Sequence, residues 1–277
     1  MIDGFKSIEE YNNFIYDSES LDLRRDELIN RIKPNSEYGF IHIGKCGGSE
    51  LMRHIHPMLV NEVHWEENPK IWHNYPNIKW ILWLRNPFAR FVSAFWYSWN
   101  GIHMPCTEKN CPHRPIQMFE RKNKPTHTDT QKYGFTIFNT PNQLAEALSS
   151  DNVKERELAI YMMRHGGEHL PNGLASYLDN GNWLDDNKNI IFVGLCENMD
   201  DDISKLKEIL DDRLIRENKV RHTRKGTEND KYLSMKAIQN LKNLWKNTEL
   251  KTIYKLYTNN FISFKTFMKY NTYEYIL

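Results

Sequence analysis

Residues 38–49 are Tyr38-Gly39-Phe40-Ile41-His42-Ile43-Gly44-Lys45-Cys46-Gly47-Gly48-Ser49, a short strand-forming run that leads into a glycine-rich turn. Aromatic and β-branched residues at 38–43 predict a strand. After the turn, apolar residues recur at helical spacing, which predicts a short helix that starts near Ser49 and stops before Pro57. This strand, turn and helix are the first unit of the fold.

The turn itself has the composition of an anion-binding loop. A glycine turn between a strand and a helix presents backbone N–H groups at the positive end of the helix dipole, where phosphate or sulfate oxygens bind. Lys45 adds a cation and Ser49 adds a hydroxyl. The lysine precedes the glycines, unlike the order in the nucleotide-triphosphatase loop, and a plain tight turn is the alternative interpretation.

A second unit begins with a nearly continuous apolar run at residues 78–84, which is typical of a strand buried on both faces. It ends at Arg85-Asn86-Pro87, where Asn86 suits an N-cap and Pro87 the first helical position. Ligands of open parallel sheets bind outside the carboxyl ends of strands. Arg85 at that edge and Ser93 on the following helix are therefore candidates for a second phosphate group.

The rest of the chain alternates helical patterns with a third buried strand at 190–194. This alternation predicts an α/β fold with a mostly parallel sheet, and residues 1–277 are predicted to form one domain. The stretch at about 100–140 is polar and is expected to be a long loop or lid insertion. Within it, Cys106 and Cys111 are compatible with a metal site or a disulfide, but an ordinary loop is favoured and no metal is expected.

Composition excludes several classes of protein. With 40% hydrophobic residues the chain has material for a core, and its formal net charge of +1 argues against a protein that coats nucleic acid. No window approaches the roughly 18 apolar residues of a membrane-spanning helix. The first residues lack the pattern of a signal peptide, so a soluble protein, cytoplasmic or otherwise, is expected.

Together, the motifs His-Ile-x-Lys-x-Gly-Gly-Ser and Arg-Asn-Pro-x-x-Arg-x-x-Ser resemble those of the sulfotransferase superfamily, which uses 3′-phosphoadenosine 5′-phosphosulfate (PAPS). The chain is most similar to the carbohydrate (polysaccharide) branch. Residues 192–199 are similar to a late strand-then-helix segment of the same family. The resemblance covers roughly residues 38–100 and 188–260 and implies a P-loop-like three-layer fold, with a central sheet flanked by helices.

By this resemblance, the first loop holds the 5′-phosphosulfate through Lys45, Cys46, Gly47, Gly48 and Ser49. The second motif holds the 3′-phosphate through Arg85 and Ser93. A late basic loop of the family corresponds to Arg224, Lys225 and Gly226, for which a solvated basic loop is the alternative. One residue departs from the family: Glu50 stands where a second hydroxyl is common, and its charge would repel a dianion unless it points away or pairs with a cation.

Sulfuryl transfer to a hydroxyl requires a base for the acceptor proton and a cation for the leaving phosphate. Lys45 suits the cationic role. The resemblance places a catalytic histidine between the two motifs, and His64 is the first candidate for the base. Other candidates in the interval are His54, His56, His73, Glu62, Glu66 and Glu67.

The sequence thus predicts a PAPS-dependent sulfotransferase that acts on a hydroxyl-bearing acceptor, most simply a saccharide. Two alternatives stay open at this point. One is a non-catalytic protein that binds phosphonucleotide or sulfated glycan, and the other is a nucleotide or small-molecule kinase.

Overall fold

A computed structural model gives the fold and describes residues 37–55, 60–63, 77–103, 128–167, 169–186, 189–210, 212, 215 and 231–272, with the backbone alone for 60–63 and 186. The strands are β1 (Tyr38–Ile41), β2 (Val60–Val63), β3 (Lys79–Leu84) and β4 (Ile190–Leu195). The helices of the described residues are α1 (Gly48–His54), α2 (Pro87–His103), α3 (Asp129–Ile137), α4 (Pro141–Ala147), α5 (Val153–His165), α6 (Leu174–Tyr177), α7 (Asn182–Asp186), α8 (Met199–Ile209), α9 (Met235–Trp245), α10 (Glu249–Thr258) and α11 (Phe264–Asn271).

The strands form one parallel sheet in the order β2-β1-β3-β4. The chain leaves β1 toward β2 on one side, whereas it leaves β3 toward β4 on the other. The carboxyl ends of β1 and β3 therefore flank the point at which the strand order reverses, and ligands of parallel sheets bind at such a crevice. We call this place the switch point.

Helices pack on both faces of the sheet because side chains alternate along β3. On one face Trp80, Leu82 and Leu84 pack with residues of α6, α7 and α10. On the other face Ile81 and Trp83 pack with residues of α1 and α8. A third apolar cluster is built from α2, α3, α4, α5 and α9. The predicted class, a mixed α/β chain with a parallel sheet flanked by helices, is confirmed.

The cap predicted at the second motif is also confirmed. The Asn86 side-chain oxygen accepts hydrogen bonds from the N–H groups of Phe88 at 3.0 Å and Ala89 at 3.3 Å, and Pro87 is the first residue of α2. This cap satisfies two N–H groups that would otherwise have no partner at the start of the helix. It also fixes the direction in which α2 leaves the end of β3.

Five elements among the described residues were not foreseen: β2, α3, α6, α7 and α11. β2 is a four-residue strand with two adjacent polar residues, Asn61 and Glu62, between its valines, so it is not an apolar run. The expected loop at about 100–140 is wrong over residues 129–137, which form α3, with a capping box between Thr128 and Gln131. The chain also has a third late helix, α11, after the two that the apolar spacing indicated. None of the described helices combines the length and the hydropathy that crossing a bilayer requires.

Two glycine–tryptophan pairs hold β3 against its neighbours. Gly39 of β1 is in register with Trp80, and Gly194 of β4 is in register with Trp83. A Cβ atom on Gly39 would lie 2.2 Å from the Trp80 ring, and one on Gly194 would lie 2.3 Å from the Trp83 ring. Each ring thus covers the backbone of the adjacent strand, which requires a residue with no side chain there.

We expect Gly194→Ala to destabilise the protein by about 1–3 kcal/mol, because the methyl group overlaps the buried Trp83 ring in a close-packed core. Urea unfolding followed by circular dichroism measures this loss. The double variant Gly194→Ala/Trp83→Phe should lose less than the sum of the two single losses, because the smaller ring leaves space for the methyl group. Additive losses would contradict the steric explanation.

Candidate functional site

The turn after β1 is shaped by two residues in left-handed conformation, Lys45 with φ 69° and Gly47 with φ 87°. Gly47 precedes α1, and its carbonyl oxygen accepts the N–H groups of Glu50 at 3.0 Å and Leu51 at 3.1 Å. Within the described residues, the backbone N–H groups of Gly47, Gly48 and Ser49 have no acceptor. The turn therefore offers a row of N–H donors at the carboxyl end of β1.

Glycine is required at this turn for steric reasons. A Cβ atom on Gly47 would lie 2.5 Å from the Met199 methyl carbon, in addition to the unfavourable φ, and one on Gly48 would lie 2.2 Å from the His42 ring. The turn thus packs tightly against α8 on one side and against the end of β1 on the other. Its N–H donors are held in place by that packing.

Cys46 shapes the turn from inside. Its side chain is fully buried, and its N–H donates to the carbonyl oxygen of Ile43 at 3.2 Å. Burial raises the pKa of this thiol far above its ordinary value, against the opposing effect of Arg90. The Cys46 N–H is thus used within the protein and the thiol is closed off from solvent, although the resemblance implies a contact with the ligand.

The two arginines of the second motif both bind carbonyl oxygens of this turn. Arg85 Nη1 donates to the Lys45 carbonyl oxygen at 3.1 Å. Arg90 Nη1 donates to the carbonyl oxygen of Gly44 at 3.3 Å and to that of His169 at 3.1 Å. The motifs predicted to act together therefore meet at the switch point.

Arg85 and Arg90 differ in exposure, and so in what they can do. Arg90 is 4% exposed and connects two backbone segments, which makes it a brace. Arg85 is only half-buried. Within the described residues the Lys45 carbonyl is its single acceptor, so the other N–H groups of its five-donor guanidinium can reach a ligand.

Ser93 lies on the face of α2 that is directed at the turn. Arg90 is three residues before it and Tyr97 is four residues after it, so the three positions share one helical face. Arg90 contacts Gly44, and the Lys45 ammonium lies over the Tyr97 ring, 4.2 Å from its centroid. Ser93 therefore lies on the helical face whose neighbouring residues contact Gly44 and Lys45.

Glu50 is paired with side chains of its own helix. Its carboxylate accepts two hydrogen bonds from Arg53 Nη1, at 2.8 and 3.1 Å, and lies 3.3 Å from His54 Nε2. Pairing with a cation is what the turn needs if it is to receive an anion. The pairing also occupies His54, whose side chain is 2% exposed, within α1.

Glu197 and residues of α11 hold Asn86 of the second motif in place. Glu197 accepts the Asn86 N–H at 2.8 Å and the Tyr270 hydroxyl at 2.9 Å, and the Asn86 side-chain amide donates to the Lys269 carbonyl at 2.9 Å. Tyr270 is buried, and burial, followed by the charge of Glu197, raises the pKa of its phenol. Asn86, the residue next to Arg85, is thus fixed by two of these contacts, and the third holds Glu197 in place.

Several predicted site residues lie outside the described part of the chain. They are His56, His64, Glu66, Glu67, His73, Cys106, Cys111, Arg224, Lys225 and Gly226. Glu62 lies in β2, of which the backbone is described. Among the described side chains, no three His, Cys, Asp or Glu residues are grouped as a metal ion would require.

The structure adds residues that sequence reasoning missed. Arg90 was visible within the second motif but was given no role, and Tyr97 follows Ser93 by one helical turn. His169 and Tyr177 belong to a segment without a motif: the Tyr177 hydroxyl accepts the Gly44 N–H at 3.0 Å, and a Cβ on Gly44 would lie 2.5 Å from His169 Nδ1. Only the fold brings this segment to the turn.

No protein-family model, curated protein sequence or solved structure significantly matches the chain. The functional conclusion therefore depends on the geometry of the switch point and on the two motifs that meet there.

A buried carboxylic acid lies close to the Arg90 guanidinium. Glu249 is 7% exposed and accepts the Ala175 N–H at 3.1 Å, while its second carboxyl oxygen has no hydrogen-bond partner in the described structure. Burial raises the pKa of Glu249, although the charge of Arg90 opposes this. An acid with a raised pKa in the folded state stabilises the fold most below its unfolded pKa, near 4.5, and that stability is lost as the pH rises through the folded value.

We expect Glu249→Gln to gain stability relative to the native chain as the pH rises above 4.5 toward neutrality, because the amide carries no charge to desolvate. Urea unfolding at a series of pH values measures the difference between the two proteins. Glu208→Gln, at an exposed position of α8, is the matched control and should give no such trend. If the stability difference between Glu249→Gln and the native chain did not vary with pH, the explanation by a raised pKa of Glu249 would be wrong.

Proposed function

We propose that the protein is a PAPS-dependent sulfotransferase, which moves a sulfuryl group to an acceptor hydroxyl. The observation that supports this most is the meeting of the two motifs, in which Arg85 Nη1 binds the Lys45 carbonyl oxygen at 3.1 Å. Two anion-binding segments separated by 40 residues in sequence are thereby joined at the switch point. A ligand with two separate phosphate-type groups is the natural partner of such an arrangement.

The P-loop-like three-layer architecture is part of the same proposal. A glycine turn follows a central strand and leads into a helix, and helices cover both faces of the parallel sheet. These features support the proposed P-loop-like fold. They do so although the order of residues in the turn differs from that in the nucleotide-triphosphatase loop.

The chain offers groups that fit both ends of the nucleotide. The N–H groups of Gly47, Gly48 and Ser49, which have no acceptor in the described part of the chain, suit the 5′-phosphosulfate together with Lys45. Arg85 and Ser93 suit the 3′-phosphate, since a guanidinium and a hydroxyl bind phosphate oxygens well. Because Glu50 is already paired with Arg53, the positive charge of Lys45 and Arg85 dominates the site.

When bound, PAPS supplies an activated sulfuryl group that the acceptor oxygen attacks as the bond from sulfur to the phosphate oxygen breaks. Lys45 neutralises the negative charge that grows on that phosphate oxygen. A base accepts the proton of the acceptor hydroxyl, and His64 is the proposed residue, with a nearby glutamate as the alternative. By the resemblance, the acceptor is a saccharide.

We expect Lys45→Ala to abolish sulfate transfer, because the charge on the leaving phosphate is then uncompensated. We expect Arg85→Ala to weaken binding of 3′-phosphoadenosine 5′-phosphate by about 10- to 100-fold, the loss of a charge-assisted hydrogen bond. Transfer is measured with radiolabelled PAPS on a panel of saccharide acceptors, and binding by calorimetry.

Lys154→Ala, at an exposed position of α5, is the matched control and should leave both quantities unchanged. If both site variants transferred sulfate as the native chain does, the proposal would be wrong. Tight nucleotide binding without transfer to any acceptor would instead favour a binding protein. Phosphoryl transfer from ATP that requires magnesium would favour a kinase.

A further inference from the structure

The Lys45 side chain reaches from the turn to helix α2. Its Nζ atom lies over the Tyr97 ring, 4.2 Å from the ring centroid. An ammonium at this distance from an aromatic face is attracted by the ring's electron density. Tyr97 is half-buried on α2, on the face that also carries Arg90 and Ser93.

The Tyr97 ring also contacts a second ring. The His169 ring lies 4.8 Å from it, centroid to centroid, at an interplanar angle of 54°. His169 is held at the turn by Arg90, which binds its carbonyl oxygen at 3.1 Å and that of Gly44 at 3.3 Å. The same guanidinium thus fixes the turn that carries Lys45 and the residue that supports Tyr97.

This contact lowers the entropic cost of binding a ligand through a lysine. A lysine side chain has four flexible bonds, and ordering it upon binding costs conformational entropy. A ring that contacts the ammonium restricts the lysine side chain to fewer conformations before an anion binds. Affinity then increases because the cation is already near its bound position.

We propose that Tyr97 is a positioning residue, which holds the Lys45 ammonium at the switch point for an anionic ligand. The identity of that ligand, the phosphosulfate group of PAPS, rests on the proposed function above. The contact itself does not, so the two are tested separately.

The contact is tested without any ligand by competitive acetylation of lysines, read by peptide mass spectrometry. In Tyr97→Leu the Lys45 amine should be acetylated about 3- to 10-fold faster than in the native chain, because the ring no longer shields it. Tyr97→Phe retains an aromatic face and should label Lys45 at the native rate. The exposed Lys154 is the internal reference in each sample.

A matched control is available in the same chain. Tyr161 and His165 on α5 form a similar ring pair with centroids 4.8 Å apart. Tyr161→Leu should leave the acetylation rate of Lys45 unchanged. If Tyr161→Leu changed that rate as much as Tyr97→Leu, a general loosening of the fold would explain both, and the proposal would be wrong.

The consequence for binding is tested by a double-mutant cycle with 3′-phosphoadenosine 5′-phosphate, measured by calorimetry. Tyr97→Leu should weaken binding about 3- to 10-fold in the native background and have no further effect in Lys45→Ala, because its role acts through that lysine. Tyr97→Phe should restore native affinity. An equal loss in both backgrounds would overturn the positioning role.

The two proposals fail in different ways. If the nucleotide does not bind the native chain but inorganic pyrophosphate does, with the same dependence on Tyr97 and Lys45, the proposed function fails and the positioning role stands. If the nucleotide binds and depends on Lys45 but not on Tyr97, the positioning role fails and the proposed function stands.

Discussion

The buried guanidinium of Arg90 constrains much of the structure around it. A charge that is removed from water must find hydrogen-bond partners, and Arg90 finds the carbonyl oxygens of Gly44 and His169. These two acceptors belong to segments that are far apart in sequence, so satisfying one cation joins the turn after β1, helix α2 and the segment before α6. Because α2 begins directly after β3, the same contact also fixes the distance between the ends of β1 and β3.

The elements that the sequence predicted well are those with a strong local signal. β3 is a continuous apolar run, and the Asn86–Pro87 cap at the start of α2 depends on neighbouring residues alone. β2 is a four-residue edge strand whose two central residues, Asn61 and Glu62, are polar, so it resembles a loop by composition. α3 was missed because its surroundings are polar, although Thr128 and Gln131 have the spacing of a capping box.

The residues of the candidate site differ in the same way: those with a local sequence signature could be predicted, and those that meet only in space could not. Lys45, Arg85 and Ser93 stand out in sequence because glycine turns, strand ends and caps have local signatures, and the fold brings them to one edge of the sheet. The roles of Tyr97 and His169 depend on which side chains meet in space, which spacing along the chain does not encode. The pairing of Glu50 with Arg53 is a case between these two. Both residues lie on one helix, three positions apart, but the sequence does not determine the rotamers that bring their side chains together.

The left-handed backbone of Lys45 has a consequence for how this chain would change under selection. A side chain other than glycine at φ 69° is strained by roughly 1–2 kcal/mol, and asparagine or glycine would adopt that conformation more easily. Directed evolution for heat resistance alone should therefore drift away from lysine at this position, whereas selection that includes activity should keep it. The lysine therefore lowers the stability of the fold at the position where the proposed function requires a cation.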